Sequence, residues 1–133
     1  MWVYYVTRGQ CLVSAGVRDK NHQMMEFRSF NKALYAVGSD GFRTFLKTGG
    51  RLYEPFRKTD DKAVKQKLTV SSGELQLSDD NSKLGLATEV LYYPLVNTAC
   101  PAMVRRLKLR NTGKRKIKIE LLDGLPRRPR RKW

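Results

Sequence analysis

Acid–base, nucleophilic and metal chemistry each need particular residues in particular company, and this sequence offers little of either. His22 is the sole histidine. It lies in the polar stretch R-D-K-N-H-Q, without spaced cysteine or carboxylate companions, whereas a zinc site gathers three or four such ligands. It reads as a surface histidine. The carboxylates include two adjacent pairs, Asp60-Asp61 and Asp79-Asp80. Glycoside cleavage needs two carboxyl groups facing each other across a sugar, so folding would have to bring Glu54, Glu89 or Asp123 together. Ser14, Ser29 and Ser39 lack the G-x-S-x-G setting of a nucleophile elbow. Gly38-Ser39-Asp40-Gly41 is not a dinucleotide-binding fingerprint, and the sequence has no glycine-rich phosphate loop. The expectation is a chain that is not itself an enzyme and needs no metal or cofactor.

The abundant chemical resource is positive charge. The chain has 133 residues and a formal net charge of +15. The charge is uneven: residues 1–58 carry +6, residues 59–100 carry −2 and residues 101–133 carry +11. Such a field attracts nucleic acid or another polyanion without specificity. The residues placed to contact one are Arg105, Arg106, Lys108, Arg110, Lys114, Arg115 and Lys116, with Arg127 and Arg128 in the tail R-R-P-R-R-K-W. A solvated face is the plainer reading of the same cations. The aromatics Trp2, Tyr4, Tyr5, Phe42, Phe45, Tyr53, Phe56, Tyr92 and Tyr93 could stack on bases or sugar rings, though alternating aromatics in strands more often fill a core. Cys11 and Cys100 lie far apart and read as two buried thiols rather than a disulfide. No secretory h-region follows Met1, and no run approaches the roughly 18 apolar residues of a membrane helix. The expected compartment is the cytosol.

The elements that must position these groups are short and alternate with period two. Leu107 and Leu109 alternate with Arg106, Lys108 and Arg110, and Ile117, Ile119 and Leu121 alternate with Lys116, Lys118 and Glu120. With Asn111-Thr112-Gly113 between them, these runs predict a β-hairpin, apolar on one face and charged on the other. Upstream, strands are expected at 2–6, 11–15, 24–27, 41–46, 68–70 and 75–77. A longer one should carry Leu84, Leu86, Thr88, Val90 and Tyr92 on one face and Tyr93 on the other. Asp79-Asp80-Asn81-Ser82 reads as a turn, Thr48-Gly49-Gly50-Arg51 as another. Pro55 should end regular pairing, and Pro94 should weaken or end its strand. Phe30 to Val37 fits either a helix with Phe30, Ala33, Leu34 and Val37 on one face or a buried strand piece. Eight to ten short strands divided by turns predict an all-β fold, an antiparallel β-sandwich, with at most one short helix.

Several segments are similar to a known family. They are V-S-A-G-V-R-D-K-N (13–21), M-E-F-R-S-F-N-K-A (25–33), G-F-R-T-F-L (41–46), Y-E-P-F (53–56) and N-T-G-K-R-K-I-K-I-E-L-L-D-G-L-P (111–126). Together they resemble the N-terminal β-sandwich region of the inverting glycoside phosphorylases that act on cellobiose and chitobiose. The resemblance covers nearly all of residues 4–126. It implies a partial N-terminal sandwich domain over residues 1–126, cut from a larger two-sheet sandwich. It also implies a missing partner, namely the rest of that sandwich and an (α/α)6 barrel. In the family, the barrel carries the general-acid aspartate while inorganic phosphate attacks the anomeric carbon with inversion. No residue here matches that aspartate or the phosphate-binding residues, and Asp123 belongs to the sandwich motif.

The basic segment 127–133 departs from the family pattern. It reads as a disordered tail, of the kind a truncated or frame-shifted reading frame leaves. The expected function is a non-catalytic sandwich domain of a carbohydrate-active phosphorylase-like protein, with a scaffold, dimer-contact or weak carbohydrate-contact role. The alternative is a small basic β protein that binds nucleic acid non-specifically. No membrane partner is expected.

Overall fold

A computed structural model of the chain describes residues 2–4, 12–14, 21–22, 29–95, 97–98 and 102–125. Among the described residues the fold is mainly antiparallel β, with one helix and two main sheets in a sandwich-like arrangement. Two short strands, β1 (Trp2–Tyr4) and β2 (Leu12–Ser14), form an antiparallel ribbon. The helix α1 (Phe30–Asp40) follows. A three-stranded sheet is built from β3 (Arg43–Thr48), β4 (Arg51–Tyr53) and β9 (Glu120–Gly124), in the order β4-β3-β9. A four-stranded sheet runs in sequence order through β5 (Val64–Val70), β6 (Leu75–Asn81), β7 (Leu86–Leu95) and β8 (Ala102–Asn111). The expected strands at 5–6, 11, 15 and 24–27, both cysteines and the tail lie outside the described residues.

Period two sorts the large sheet into an inner and an outer face. Leu75, Leu77, Asp79 and Asn81 of β6 point inward and are buried, as are Leu86, Thr88, Val90 and Tyr92 of β7. The core forms where Leu75, Leu77, Val90 and Tyr92 meet Phe56, with Phe42, Met103 and Leu107 packed around them. Phe42 meets Tyr92 edge to face, with ring centroids 5.7 Å apart. Phe42 precedes β3 and Phe56 follows β4, so the core lies between the two sheets. From the small sheet, Thr44 and Leu46 turn the same way and are fully buried.

The predicted hairpin is corrected. β8 pairs with β7, from Leu86↔Asn111 to Leu95↔Ala102, whereas β9 pairs with β3, from Arg43↔Gly124 to Lys47↔Glu120. Residues 112–119 carry the chain from one sheet to the other. Ile117 and Ile119 are half-buried and Lys116 and Lys118 exposed, so the alternation is real without a ladder. Alternation reports which face is covered, not which strand lies alongside.

Other local expectations are refined. Residues 30–40 form the helix; among its described side chains Ala33 and Ala36 are buried while Phe30 and Leu34 are exposed. Gly49 and Gly50 both have positive φ between the paired Thr48 and Arg51, a two-residue loop whose twist suits a hairpin. Pro55 does end β4. Pro94 does not end β7: the pairing with β6 stops at Tyr92, and among the described residues β8 alone continues, to Leu95↔Ala102. A proline is tolerated where one side of the strand has no ladder to complete.

Asp79-Asp80-Asn81 is not a turn but the end of β6, paired with both neighbours. The turn spans residues 82–85 and includes Leu84, whose N–H donates to Asn81 Oδ1 at 3.1 Å. Gly85 closes this turn with φ +63, and a Cβ there would sit 3.3 Å from the Gly113 backbone.

Candidate functional site

Three groups of polar side chains stand out, and two of them join strands across the interior. Arg105 lies on β8 in the same parity as Leu107 and Leu109, so it points inward. Its side chain is only 5% exposed. Its Nε donates to the Tyr92 hydroxyl and its Nη2 to Thr44 Oγ1, both at 2.8 Å, and its Nη1 pairs with Asp123. Thr44 in turn donates to Asp123 Oδ1 at 2.6 Å. The guanidinium also lies 5.5 Å from the Phe42 ring centroid and 5.4 Å from that of Tyr92. One arginine on the large sheet therefore ties both β3 and β9 of the small sheet. A planar fork with five donors suits this role, and a lysine would not fill it.

The second group centres on Asp79, which is 1% exposed. Its carboxylate accepts hydrogen bonds from the Tyr53 hydroxyl, the Phe56 N–H at 3.0 Å and Gln66 Nε2 at 2.8 Å. It joins β5, β6 and the turn after β4, and it anchors Phe56, whose φ of 66° is unusual for a bulky residue. Burial pushes the Tyr53 phenol well above its ordinary pKa, and its hydrogen bond to Asp79 adds to the shift.

The third group borders open space. A shallow cleft of about 430 Å³ is lined by Phe45, Leu52, Tyr53, Glu54, Arg57, Lys58 and Thr59. β3 contributes Phe45, β4 contributes Leu52 and Tyr53, and the turn at Pro55 brings Glu54 and Arg57 beside them. Glu54 is paired with Arg43 and lies 3.8 Å from Arg57. The Arg43 guanidinium also stacks over Phe45, 5.5 Å from its centroid. The cleft opens onto the outer face of the small sheet, where Phe45 is half-buried and Leu52 and Leu122 are 71% and 70% exposed. An aromatic edge, exposed leucines and a neutralised carboxylate can hold an apolar or sugar-like surface. They cannot provide the paired acid and base that glycosidic cleavage demands.

The sequence-predicted positions divide accordingly. Arg105 is withdrawn from the polyanion-contacting set, because its charge is spent on Asp123, Tyr92 and Thr44 in the interior. Arg106, Lys108 and Arg110 are exposed on the outer face of β8, and Lys114, Arg115 and Lys116 are exposed beyond its end. Arg127 and Arg128 lie outside the described residues. The fold gives Glu54, Glu89 and Asp123 separate surroundings: Glu54 meets Arg43, Asp123 meets Arg105, and Glu89 stands opposite Lys108 on β8. His22 is exposed in a turn, as expected. Asp61 holds Lys83 at 2.7 Å across the surface. Of the aromatics, Phe56 and Tyr92 are core, and Tyr93 faces outward from β7. No group of three or more metal-ligating side chains occurs among the described residues.

Sequence reasoning missed Asp79 and misassigned Arg105. The signal was available for both. Asp79 continues the inward series Leu75, Leu77, and Arg105 continues the inward series Leu109, Leu107. Comparisons with family models, curated proteins and solved structures find no match.

Proposed function

We propose that the chain is a non-catalytic sandwich module of a glycoside phosphorylase-like protein, and that it works by packing the small sheet against the remainder of a larger sandwich. The carrying observation is that sheet's leucine-lined exterior. Leu52 on β4 and Leu122 on β9 share its outer face and are 71% and 70% exposed, while Leu121, opposite the buried Leu46, lies on the inner face. Leu52 and Leu122 lie on the two edge strands of a three-stranded sheet whose edges meet no further strand among the described residues. Exposed apolar residues gathered on open edges mark an association surface. The polar groups between the sheets support the same reading, because Arg105 and Asp79 serve cohesion rather than turnover. The family resemblance names the occupant, and a second copy of the chain would take its place when the remainder is absent. The Phe45–Leu52–Glu54 cleft on this face is where weak carbohydrate contact belongs. The compartment proposed is the cytosol; no helix among the described residues is long and apolar enough to cross a membrane.

Sedimentation velocity across a concentration series tests the proposal. The chain should self-associate, and the double variant Leu52→Lys, Leu122→Lys should be monomeric with an unchanged circular dichroism spectrum. Monomeric behaviour of the unmodified chain throughout would remove the basis of the packing role. In parallel, cellobiose with phosphate should yield no sugar phosphate, and measurable product would refute the non-catalytic reading.

A further inference from the structure

The outer face of the four-stranded sheet carries a separate pattern. The register places Lys65 opposite Asp80, Ala87 and Arg110 in one cross-sheet row, and Lys67 opposite Ser78, Glu89 and Lys108 in the next. The third row is Thr69, Gln76, Leu91 and Arg106, and Tyr93 follows opposite Val104. Lys65, Lys67, Arg106, Lys108 and Arg110 are all exposed, and they outnumber the two carboxylates on the face, Asp80 and Glu89. Along β8 the three cations recur every second residue, which spaces them by about 7 Å in one line. Beyond the end of β8, Lys114, Arg115 and Lys116 are exposed as well. Tyr93 is half-buried on the same face, diagonal to Arg106 across the β7–β8 pair, a separation of about 7–8 Å.

We infer that this face binds single-stranded nucleic acid. The β8 cations follow one phosphate backbone, while a base lies over the β7 side of the sheet and stacks on Tyr93. The charge line selects a polyanion. The aromatic beside it selects one whose rings are free to stack, which a single strand offers and a duplex does not. The inference does not depend on the leucine face of the small sheet, which belongs to the other sheet and uses none of these residues.

The probe is a fluorescein-labelled oligothymidylate, titrated by anisotropy over a salt series. The background is the full-length chain with Arg127, Arg128, Arg130, Arg131 and Lys132 changed to Gln, so that the tail cannot substitute for the face. Changing Arg106, Lys108 and Arg110 to Gln in that background should flatten the slope of log K against log salt by about two units, at about 0.7 per lost single-strand contact. Tyr93→Leu should weaken binding by about fivefold to a hundredfold, the range for loss of one stacked base, and Tyr93→Phe should restore it. Circular dichroism melts confirm that each variant is folded. The inference is overturned if the triple variant keeps the parental slope, if Tyr93→Leu binds as well as Tyr93→Phe, or if a duplex of equal length competes as strongly as the single strand.

Discussion

Replacing Arg105 with Met isolates the contact that holds the two sheets together. The change keeps much of the side chain's length but removes its three polar interactions, to Tyr92, Thr44 and Asp123. Asp123 would lose its charge partner while retaining the Thr44 hydroxyl, and its side chain is 25% exposed. Removing one member of a buried pair costs about 3–5 kcal/mol. Partial access of water to Asp123 favours the lower end, about 3 kcal/mol, including the lost stacking on Phe42 and Tyr92. With a urea m-value of about 2 kcal/mol/M, the midpoint should fall by about 1.5 M. The melting temperature should drop by about 12 °C for a chain of this size. Urea titration followed by far-UV circular dichroism measures the first, with coincident probes checking two-state behaviour. Arg105→Lys should recover less than half of the loss, because an ammonium cannot span Tyr92, Thr44 and Asp123 at once. A midpoint for Arg105→Met within about 0.2 M of the parent, against the 1.5 M shift expected, would refute the claim that this arginine joins the sheets.

Three further substitutions probe the interior. The Thr88 hydroxyl is fully buried and has no hydrogen-bond partner among the described residues, so Thr88→Val should stabilise the chain by about 1 kcal/mol, read as a higher melting temperature. Gly85→Ala should destabilise by about 1–2 kcal/mol in the same melt, from the positive φ and the close Gly113 backbone. The Tyr53 phenol, held protonated by burial and then by Asp79, should resist alkaline titration until the chain unfolds. Its folded pKa lies above the unfolded value of about 10, so its contribution is complete below pH 10 and is lost as pH rises beyond it. Tyr53→Phe should flatten the fall in stability above pH 10, and an identical pH profile for the two chains would count against that assignment.

The ladders of β3 and β7 and the first half of β6 were legible because their apolar residues repeat every second position between strong turn signals, whereas the first half of β5, Val64 to Lys67, reads as a polar connection because Lys65, Gln66 and Lys67 interrupt its apolar pattern. Leu86, Thr88, Val90 and Tyr92 show this directly, since all four face inward. Partner choice was not legible. Residues 104–110 and 116–121 have the same alternation whether they pair with each other or, as they do, with β7 and β3. Charged residues at inward positions misled for a different reason. Composition suggests that aspartates and arginines meet water, yet Asp79 and Arg105 sit at the margins of the core, where satisfied polar groups link neighbouring layers. The helix was ambiguous because two of the larger apolar residues of its expected face, Phe30 and Leu34, are exposed, and the side chains it buries among the described residues are the small Ala33 and Ala36. The cleft depends on β3, β4 and the Pro55 turn together, so no single stretch of sequence announced it.

We propose that the leucine-bearing outer face of the small sheet is covered by other structure. Amide hydrogen exchange, measured below and above the concentration at which the chain associates, tests it most directly. Association should slow exchange at residues 51–53 and 120–125, leaving β5 and the outer face of β8 unchanged. Protection confined to β5 or to the basic face, with β4 and β9 still exchanging freely, would contradict the account.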